Sequence, residues 1–111
     1  MKQGDIVLMD FDPTKGREQA GYRPGVIISQ TAFNEKRKLV LLCPITTAMK
    51  QLRFHVPLDD RTQTQGDIIC EQVRTIDLLA RKCKYLEPLP NDLLAKVLTA
   101  VYTITALESE E

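Results

Sequence analysis

Short apolar segments alternate with polar, turn-forming segments along most of the chain. Apolar segments rich in Val, Ile and Leu and bounded by Gly, Pro, Asn or Asp are typical of β-strands. Residues 25–29 form an uninterrupted apolar run that predicts a central strand, whereas residues 53–58 alternate and predict a half-exposed strand. The full pattern predicts strands over residues 5–11, 25–29, 39–45, 53–58 and 66–72, with a shorter sixth strand over 81–86.

Three connecting features refine this pattern. Residues 31–34 and 73–79 each predict a turn of helix, and the residues that follow the first of these, 35–38, predict a charged turn.

Pro44 lies near the end of the third apolar run. Because proline has no backbone N–H to donate, it predicts that this strand ends there or lies at a sheet edge.

The end of the chain changes from a strand pattern to a helical one. Its apolar residues recur at three- and four-residue steps: Leu93, Leu94, Val97, Leu98, Val101, Ile104 and Leu107. Asn91, which follows Pro90, is the predicted N-cap. Three threonines lower the helix propensity by a few tenths of a kcal/mol each, but burial of the apolar stripe at about 1.5–3 kcal/mol per side chain outweighs this.

These elements predict a mainly β fold with a C-terminal helix, namely a small antiparallel β-barrel against which the helix packs. The chain has 111 residues, which predicts a single domain spanning residues 1–111. Hydrophobic residues make up 43% of the sequence, which is enough to form a core and argues against disorder.

The charges of the chain cancel, with 15 basic and 15 acidic residues. A general electrostatic attraction for nucleic acid is therefore excluded, and any anionic partner must be bound by a local basic patch. Three cysteines without a CxxC pair predict reduced thiols, and a single histidine disfavours a zinc site. No apolar run approaches the roughly 20 residues of a membrane span, so we expect a cytoplasmic protein without membrane contact, metal or cofactor.

Polar residues that are suited to binding phosphate follow three of the predicted strands. The first group is the loop of residues 16–24, the second is Thr46 with Thr47, and the third is Glu71 and Gln72 with Arg74. If the strands are neighbours, a cation, hydroxyls and a carboxylate meet at one end of the sheet, a combination suited to a phosphodiester. The alternative is that all three are simply solvated loops.

Several motifs closely resemble the MazF/PemK family of toxin endoribonucleases. They are residues 4–7 (GDIV), 10–16 (DFDPTKG), 18–21 (EQAG), 23–24 (RP), 44–47 (PITT) and 71–77 (EQVRTID). The resemblance covers nearly the whole chain in the same order. It implies an SH3-like, CcdB-type barrel that forms a homodimer.

The resemblance also implies an activity and its partners. Members of the family cleave single-stranded RNA, usually mRNA, at a short sequence without a metal, through attack by the ribose 2′-OH. A cognate antitoxin covers the RNA groove with an acidic, flexible tail. The resemblance therefore predicts the toxin component of a type II toxin–antitoxin system.

Residue roles follow position by position from the same resemblance. Arg23 and Thr46 match the usual catalytic pair of the family, and either Glu18 or Glu71 is the candidate general base. The remaining matched positions are predicted to contact RNA: Arg17, Gln19, Thr47, Gln72 and Arg74. Two departures from the PemK branch exclude its acid–base scheme, since Arg17 stands where that branch has a histidine, and Ile69 where it has an arginine.

Two other functions fit the predicted fold. A CcdB-type toxin would bind DNA gyrase without cutting nucleic acid, but that activity depends on a C-terminal Trp-Gly-Ile, and this chain has no tryptophan. A non-catalytic barrel that binds RNA or protein is the second alternative. Fold alone does not decide between these functions. The presence of both Arg23 and Thr46, the positions of the family's catalytic pair, argues against a non-catalytic barrel.

Overall fold

Seven strands and two helices form the protein, for which a computed structural model describes residues 1–10 and 22–109. The strands are β1 (Asp5–Asp10), β2 (Tyr22–Ile27), β3 (Leu39–Thr46), β4 (His55–Pro57), β5 (Asp67–Ile69), β6 (Arg74–Asp77) and β7 (Cys83–Pro88). The helices are α1 (Thr31–Arg37) and α2 (Asn91–Thr105), and a 3₁₀ turn spans Cys70–Gln72. The predicted combination of a mainly β fold with a C-terminal helix is confirmed.

All pairings in the sheet are antiparallel, in the order β4-β5-β3-β2-β1-β7, and β6 also pairs with β3. Strand β3 is therefore central, with β2 on one side and both β5 and β6 on the other. Among the described residues the pairing ends at β4 and β7, so the sheet is barrel-like without being closed by hydrogen bonds.

The two faces of the sheet carry separate apolar clusters. One cluster lies under α2 and includes Val26, Ile45 and Ile68 of the sheet with Leu93 and Val97 of the helix. The other cluster lies on the opposite face and consists of Val7, Met9, Ile27, Val40, Leu42 and Ile76. Burying a strand on both faces requires apolar residues at consecutive positions, which explains the continuous runs in the sequence.

Strand β3 changes partners in the middle, and this explains Pro44. It pairs with β6 from Leu39 to Leu42 and with β5 at Ile45 and Thr46. Pro44 lies in the gap between these two pairings, where no partner on that side needs its missing N–H. The prediction that this proline marks a strand end or a sheet edge is therefore wrong.

Three other predicted elements differ from the structure. The helical turn predicted for residues 73–79 is mainly strand β6, because pairing with β3 determines the conformation of this short amphipathic segment. The predicted strand over 66–72 stops at Ile69 and continues as the 3₁₀ turn. The charged turn predicted at residues 35–38 continues α1 as far as Arg37, and Lys38 ends the helix with a φ of 57°.

Helix α2 packs with the predicted stripe toward the sheet. Leu93 and Val97 are buried and Leu94 and Leu98 are half-buried, whereas Leu107, beyond the helix, is exposed. The predicted N-cap is displaced by one residue: Pro90 occupies that position and Asn91 is the first helical residue. The stripe therefore covers the core mainly through its first half.

Candidate functional site

Three polar residues follow one another across neighbouring strands at one end of the sheet. Strands β2 and β3 pair Gly25 with Pro44, and continuing the same register by two residues sets Arg23 opposite Thr46. On the other side of β3, Thr46 is paired with Asp67 of β5. Directly opposed residues of antiparallel strands point to the same face. We call Arg23, Thr46 and Asp67 the polar row.

Arg23 is exposed at the start of β2, where its backbone is paired with Met9 of β1. Within residues 1–10 and 22–109, no carboxylate pairs with its guanidinium and no acceptor hydrogen-bonds to it. Its five N–H groups are therefore available to an external anion, and their fixed fork matches two oxygens of a phosphate.

Thr46 is half-buried at the end of β3, and its hydroxyl oxygen accepts a hydrogen bond from the N–H of Ala48 at 3.1 Å. Because that bond uses a lone pair of the oxygen, the hydroxyl proton is left to donate to another group. The next residue, Thr47, is exposed. The end of β3 thus presents a hydroxyl group that can donate a hydrogen bond to a ligand.

Gly66 fixes the backbone of Thr46 from the neighbouring strand. A Cβ at Gly66 would lie 2.2 Å from the carbonyl oxygen of Thr46, and the φ of Gly66 is +128°. Both facts require glycine at this position. The end of β3 is therefore held closely by the residue that precedes β5.

The second predicted carboxylate lies in the 3₁₀ turn. Glu71 and Gln72 are both exposed, and their turn lies between the residues that pair with the two halves of β3. Arg74 follows as the first residue of β6 and is exposed. The turn therefore lies beside Pro44 of β3, two residues before Thr46.

The buried thiols are chemically inert. Burial, followed by the negative charge of Cys70, raises the pKa of Cys43 to about 12. Burial, followed by the charge of Glu71, raises the pKa of Cys70 to about 11. Thiolates, which are the nucleophilic form, are therefore scarce at neutral pH, and both cysteines pack in the core.

Asp67 and His55 form a buried pair that the sequence did not predict. The carboxylate of Asp67 is 1% exposed, and its Oδ2 lies 3.4 Å from Nδ1 of His55, whose side chain is 6% exposed. The other oxygen, Oδ1, meets no hydrogen-bond donor among the described residues. Nothing in the sequence reveals this contact, because it depends on the register between β4 and β5.

Three of the predicted site residues, Arg17, Glu18 and Gln19, lie in residues 11–21, outside the described residues.

Among the residues that are described, no group of three His, Cys, Asp or Glu side chains could hold a metal ion. Neither described helix is both long and apolar enough to cross a membrane.

The fold defines a small antiparallel β protein with a C-terminal helix, and its polar row is suited to a phosphodiester. The sequence model of the PemK-like, MazF-like toxins of type II toxin–antitoxin systems matches residues 2–105. The chain belongs to this family.

Similar proteins agree with this assignment. Endoribonuclease PemK of Escherichia coli is 40% identical over 108 residues, covering 94% of this chain and 81% of PemK. Endoribonuclease toxin MazF of Escherichia coli K12 is 42% identical over 78 residues, covering 70% and 69%. A crystal structure of MazE–MazF from Deinococcus radiodurans matches with a TM-score of 0.89 at 29% identity, covering 97% of both chains. The predicted family and an endoribonuclease toxin are confirmed.

Proposed function

We propose that the protein cleaves single-stranded mRNA at a short sequence without a metal ion, and that Arg23 and Thr46 of the polar row bind the scissile phosphate. The observation that carries this proposal is the pairing of Gly25 with Pro44, a register that sets Arg23 opposite Thr46 when it is continued by two residues. Among the described residues, no carboxylate forms a salt bridge with Arg23. The relatives named as endoribonucleases supply the class of reaction.

The reaction is an internal transfer at phosphorus. The ribose 2′-oxygen attacks the adjacent phosphorus, a new P–O2′ bond forms and the P–O5′ bond breaks. The products are a 2′,3′-cyclic phosphate and a 5′-OH. The proton of the 2′-OH passes to a general base, and the departing 5′-oxygen takes up a proton.

Arg23 stabilises the negative charge that develops on the phosphoryl oxygens. Its pKa is too high, above about 12, for it to act as a base at neutral pH. Two parallel N–H donors can bind two oxygens at once, and the absence of a competing carboxylate among the described residues leaves them available. In this proposal Arg23 also donates a hydrogen bond to the leaving oxygen.

Thr46 orients one non-bridging oxygen. Its hydroxyl oxygen accepts from the N–H of Ala48, and the hydroxyl proton is left to donate to the phosphate. The base is one of two carboxylates, Glu18 or Glu71. Glu71 is exposed on the turn beside Pro44, whereas Glu18 lies outside the described residues. Arg17, Gln19, Thr47, Gln72 and Arg74 contact the flanking RNA.

The expected partners are a second copy of the chain and an antitoxin. The Deinococcus relative is a MazE–MazF structure, and a mycobacterial endoribonuclease was solved with its cognate antitoxin, although at 20% identity that structure supports the fold alone. An acidic, flexible antitoxin tail would compete with RNA for the cations of the site. High salt would weaken both contacts.

Incubation of the purified protein with a long RNA in the presence of a metal chelator tests this proposal. We expect discrete cuts at a recurring short sequence, with 2′,3′-cyclic phosphate and 5′-OH ends. RNA that is left intact but bound would favour the non-catalytic alternative. Cleavage only after a divalent metal is added would contradict the proposed mechanism.

A further inference from the structure

A pocket beside the start of β2 is not used by the proposed chemistry. It has a volume of about 360 Å³ and is lined by Leu8, Tyr22, Lys82, Cys83 and Lys84. We call it the Tyr22 pocket. Consecutive strand residues point to opposite faces, so the side chains of Tyr22 and Arg23 leave β2 in opposite directions. The pocket and the polar row therefore lie on opposite faces of the sheet, next to each other at the start of β2.

Tyr22 presents an exposed aromatic ring at the start of β2. It is 55% exposed, and it lies opposite Asp10 at the last pairing of β1 with β2. Other exposed aromatic side chains, Tyr85 and Tyr102, do not line the Tyr22 pocket. An exposed ring beside an apolar pocket is a surface on which an unpaired base can stack.

The rim of the pocket is basic in a chain whose total charge is zero. Lys82 and Lys84 are exposed, and Lys84 pairs with Leu8 across the ladder between β1 and β7. Arg81 approaches from the same segment and donates to the carbonyl oxygen of Asp10 at 3.2 Å. Even with the carboxylate of Asp10 nearby, positive charge is in excess here, which favours an anionic ligand.

We propose that the Tyr22 pocket binds one unpaired nucleotide that flanks the scissile phosphate, with its base against Tyr22 and its phosphate near Lys82 and Lys84. This inference rests on the proposed function, since it takes RNA as the ligand. Because Tyr22 directly precedes Arg23, an RNA strand that engages Arg23 reaches the pocket by turning around the start of β2. An apolar stacking surface with a cationic rim fits a nucleotide better than an acidic peptide, which offers no planar base.

Binding of an RNA that cannot be cleaved tests the pocket without requiring activity. The probe is a mixed-sequence 12-mer with 2′-O-methyl groups, in which the attacking oxygen is blocked, and affinity is measured by fluorescence anisotropy at fixed salt. We expect Tyr22→Leu to bind about 5- to 100-fold more weakly, the range that stacking of one base supports. Tyr22→Phe keeps the ring and should bind within about twofold of the unsubstituted protein.

The matched control is Tyr102→Leu, which removes a tyrosine that is 71% exposed on α2 and does not line the pocket. Its RNA affinity should not change. Replacing Lys82 and Lys84 by Gln should lower the slope of log affinity against log salt by about 0.7 for each phosphate that a lysine no longer neutralises. A 4-thiouridine in the probe should crosslink to the peptide that contains Tyr22.

Each contrary outcome identifies what failed. Equal RNA affinity of Tyr22→Leu and the unsubstituted protein, with an unchanged circular dichroism spectrum, would overturn the pocket assignment and leave the proposed cleavage standing. Normal RNA affinity together with weakened binding of an acidic peptide would overturn it in favour of antitoxin binding. An unsubstituted protein that binds no RNA would overturn the proposed function and the pocket together.

Discussion

Two carboxylates flank the loop of residues 58–66, and they differ in how completely they are hydrogen-bonded. Glu87 of β7 accepts from the N–H of Gln63 at 3.0 Å, and from the N–H and hydroxyl of Thr64 at 2.8 and 2.6 Å. Asp67 is buried, yet it has a single contact at 3.4 Å and one oxygen without a donor among the described residues. Glu87 stabilises the loop through these hydrogen bonds, whereas burial of the Asp67 carboxylate destabilises the fold by more than its contacts stabilise it.

Two arginines show the same contrast. Arg61 reaches both Asp59 and Asp92, at 2.8 and 2.9 Å, and so connects the loop to α2. Arg23 has no such partner in the described part of the chain. The polar groups of the loop region are hydrogen-bonded within the protein, whereas the guanidinium of Arg23 has no such partner among the described residues. Substitutions in the loop region should therefore change stability, and those of Arg23 and Thr46 should change activity.

The largest expected effect is that of Arg23→Ala on RNA cleavage. Removing one preorganised donor to developing charge typically lowers the rate on the order of 10²–10³-fold. Because Arg23 is exposed and has no salt-bridge partner among the described residues, the melting temperature should stay the same. Arg61→Ala is the matched control, and its cleavage rate should equal that of the unsubstituted protein. Undiminished cleavage by Arg23→Ala under single-turnover conditions would refute its assigned role.

Glu87→Gln should produce the next largest effect, and on stability alone. The substitution removes the charge that strengthens three hydrogen bonds from the loop. We expect the free energy of unfolding to fall by about 1–3 kcal/mol, the usual range for hydrogen bonds to a charged group. Urea denaturation measures this decrease, and cleavage per folded molecule should be retained.

Asp67→Asn makes the same chemical change at the other carboxylate and should have the opposite sign. It removes a buried charge that has little compensation, so we expect the free energy of unfolding to stay constant or rise by up to about 1 kcal/mol. His55→Ala should instead destabilise the protein, because it removes the side chain that contacts Oδ2 of Asp67 at 3.4 Å. A decrease on Asp67→Asn as large as that of Glu87→Gln would remove the contrast between the two carboxylates.

Acid should abolish the difference between Glu87→Gln and the unsubstituted protein. Burial opposes ionisation of Glu87, but hydrogen bonds from the side chain and backbone of Thr64 and the backbone of Gln63 outweigh it and lower the pKa below 4.5. A carboxyl whose pKa is lowered by folding stabilises the protein above its unfolded pKa, and this stabilisation disappears as the pH falls through the folded value. Melting temperatures of the two proteins should therefore converge below about pH 4.5. A constant difference down to about pH 3 would contradict this account.

The sequence predicted the elements better than their contacts. Apolar runs identified most strands, and the three- and four-residue spacing identified α2, because burial on one or two faces imposes these periods directly. The prediction of a helical turn over residues 73–79 was wrong, since four apolar positions in so short a segment fit either period. Pairing with β3 decides that case, and this pairing depends on residues more than 30 positions away.

The candidate site was predictable in composition and only partly in geometry. The family motifs identified Arg23 and Thr46, and the pairing of Gly25 with Pro44 supplies a register that, continued by two residues, sets one opposite the other. The pair of His55 and Asp67 had no local signal, because an aspartate after a glycine is equally typical of a solvated turn. Its burial arises from β4 pairing with β5 and cannot be derived from either segment alone.

A double-mutant cycle for Arg23→Ala and Thr46→Val tests most directly whether the two residues act on one phosphate. Single-turnover cleavage rates of the two single variants, the double variant and the unsubstituted protein give the coupling between the two sites. If both residues bind the same phosphoryl group, the double variant should be little slower than Arg23→Ala alone, because groups that act as a unit are not additive. Rate decreases that simply multiply would contradict the account.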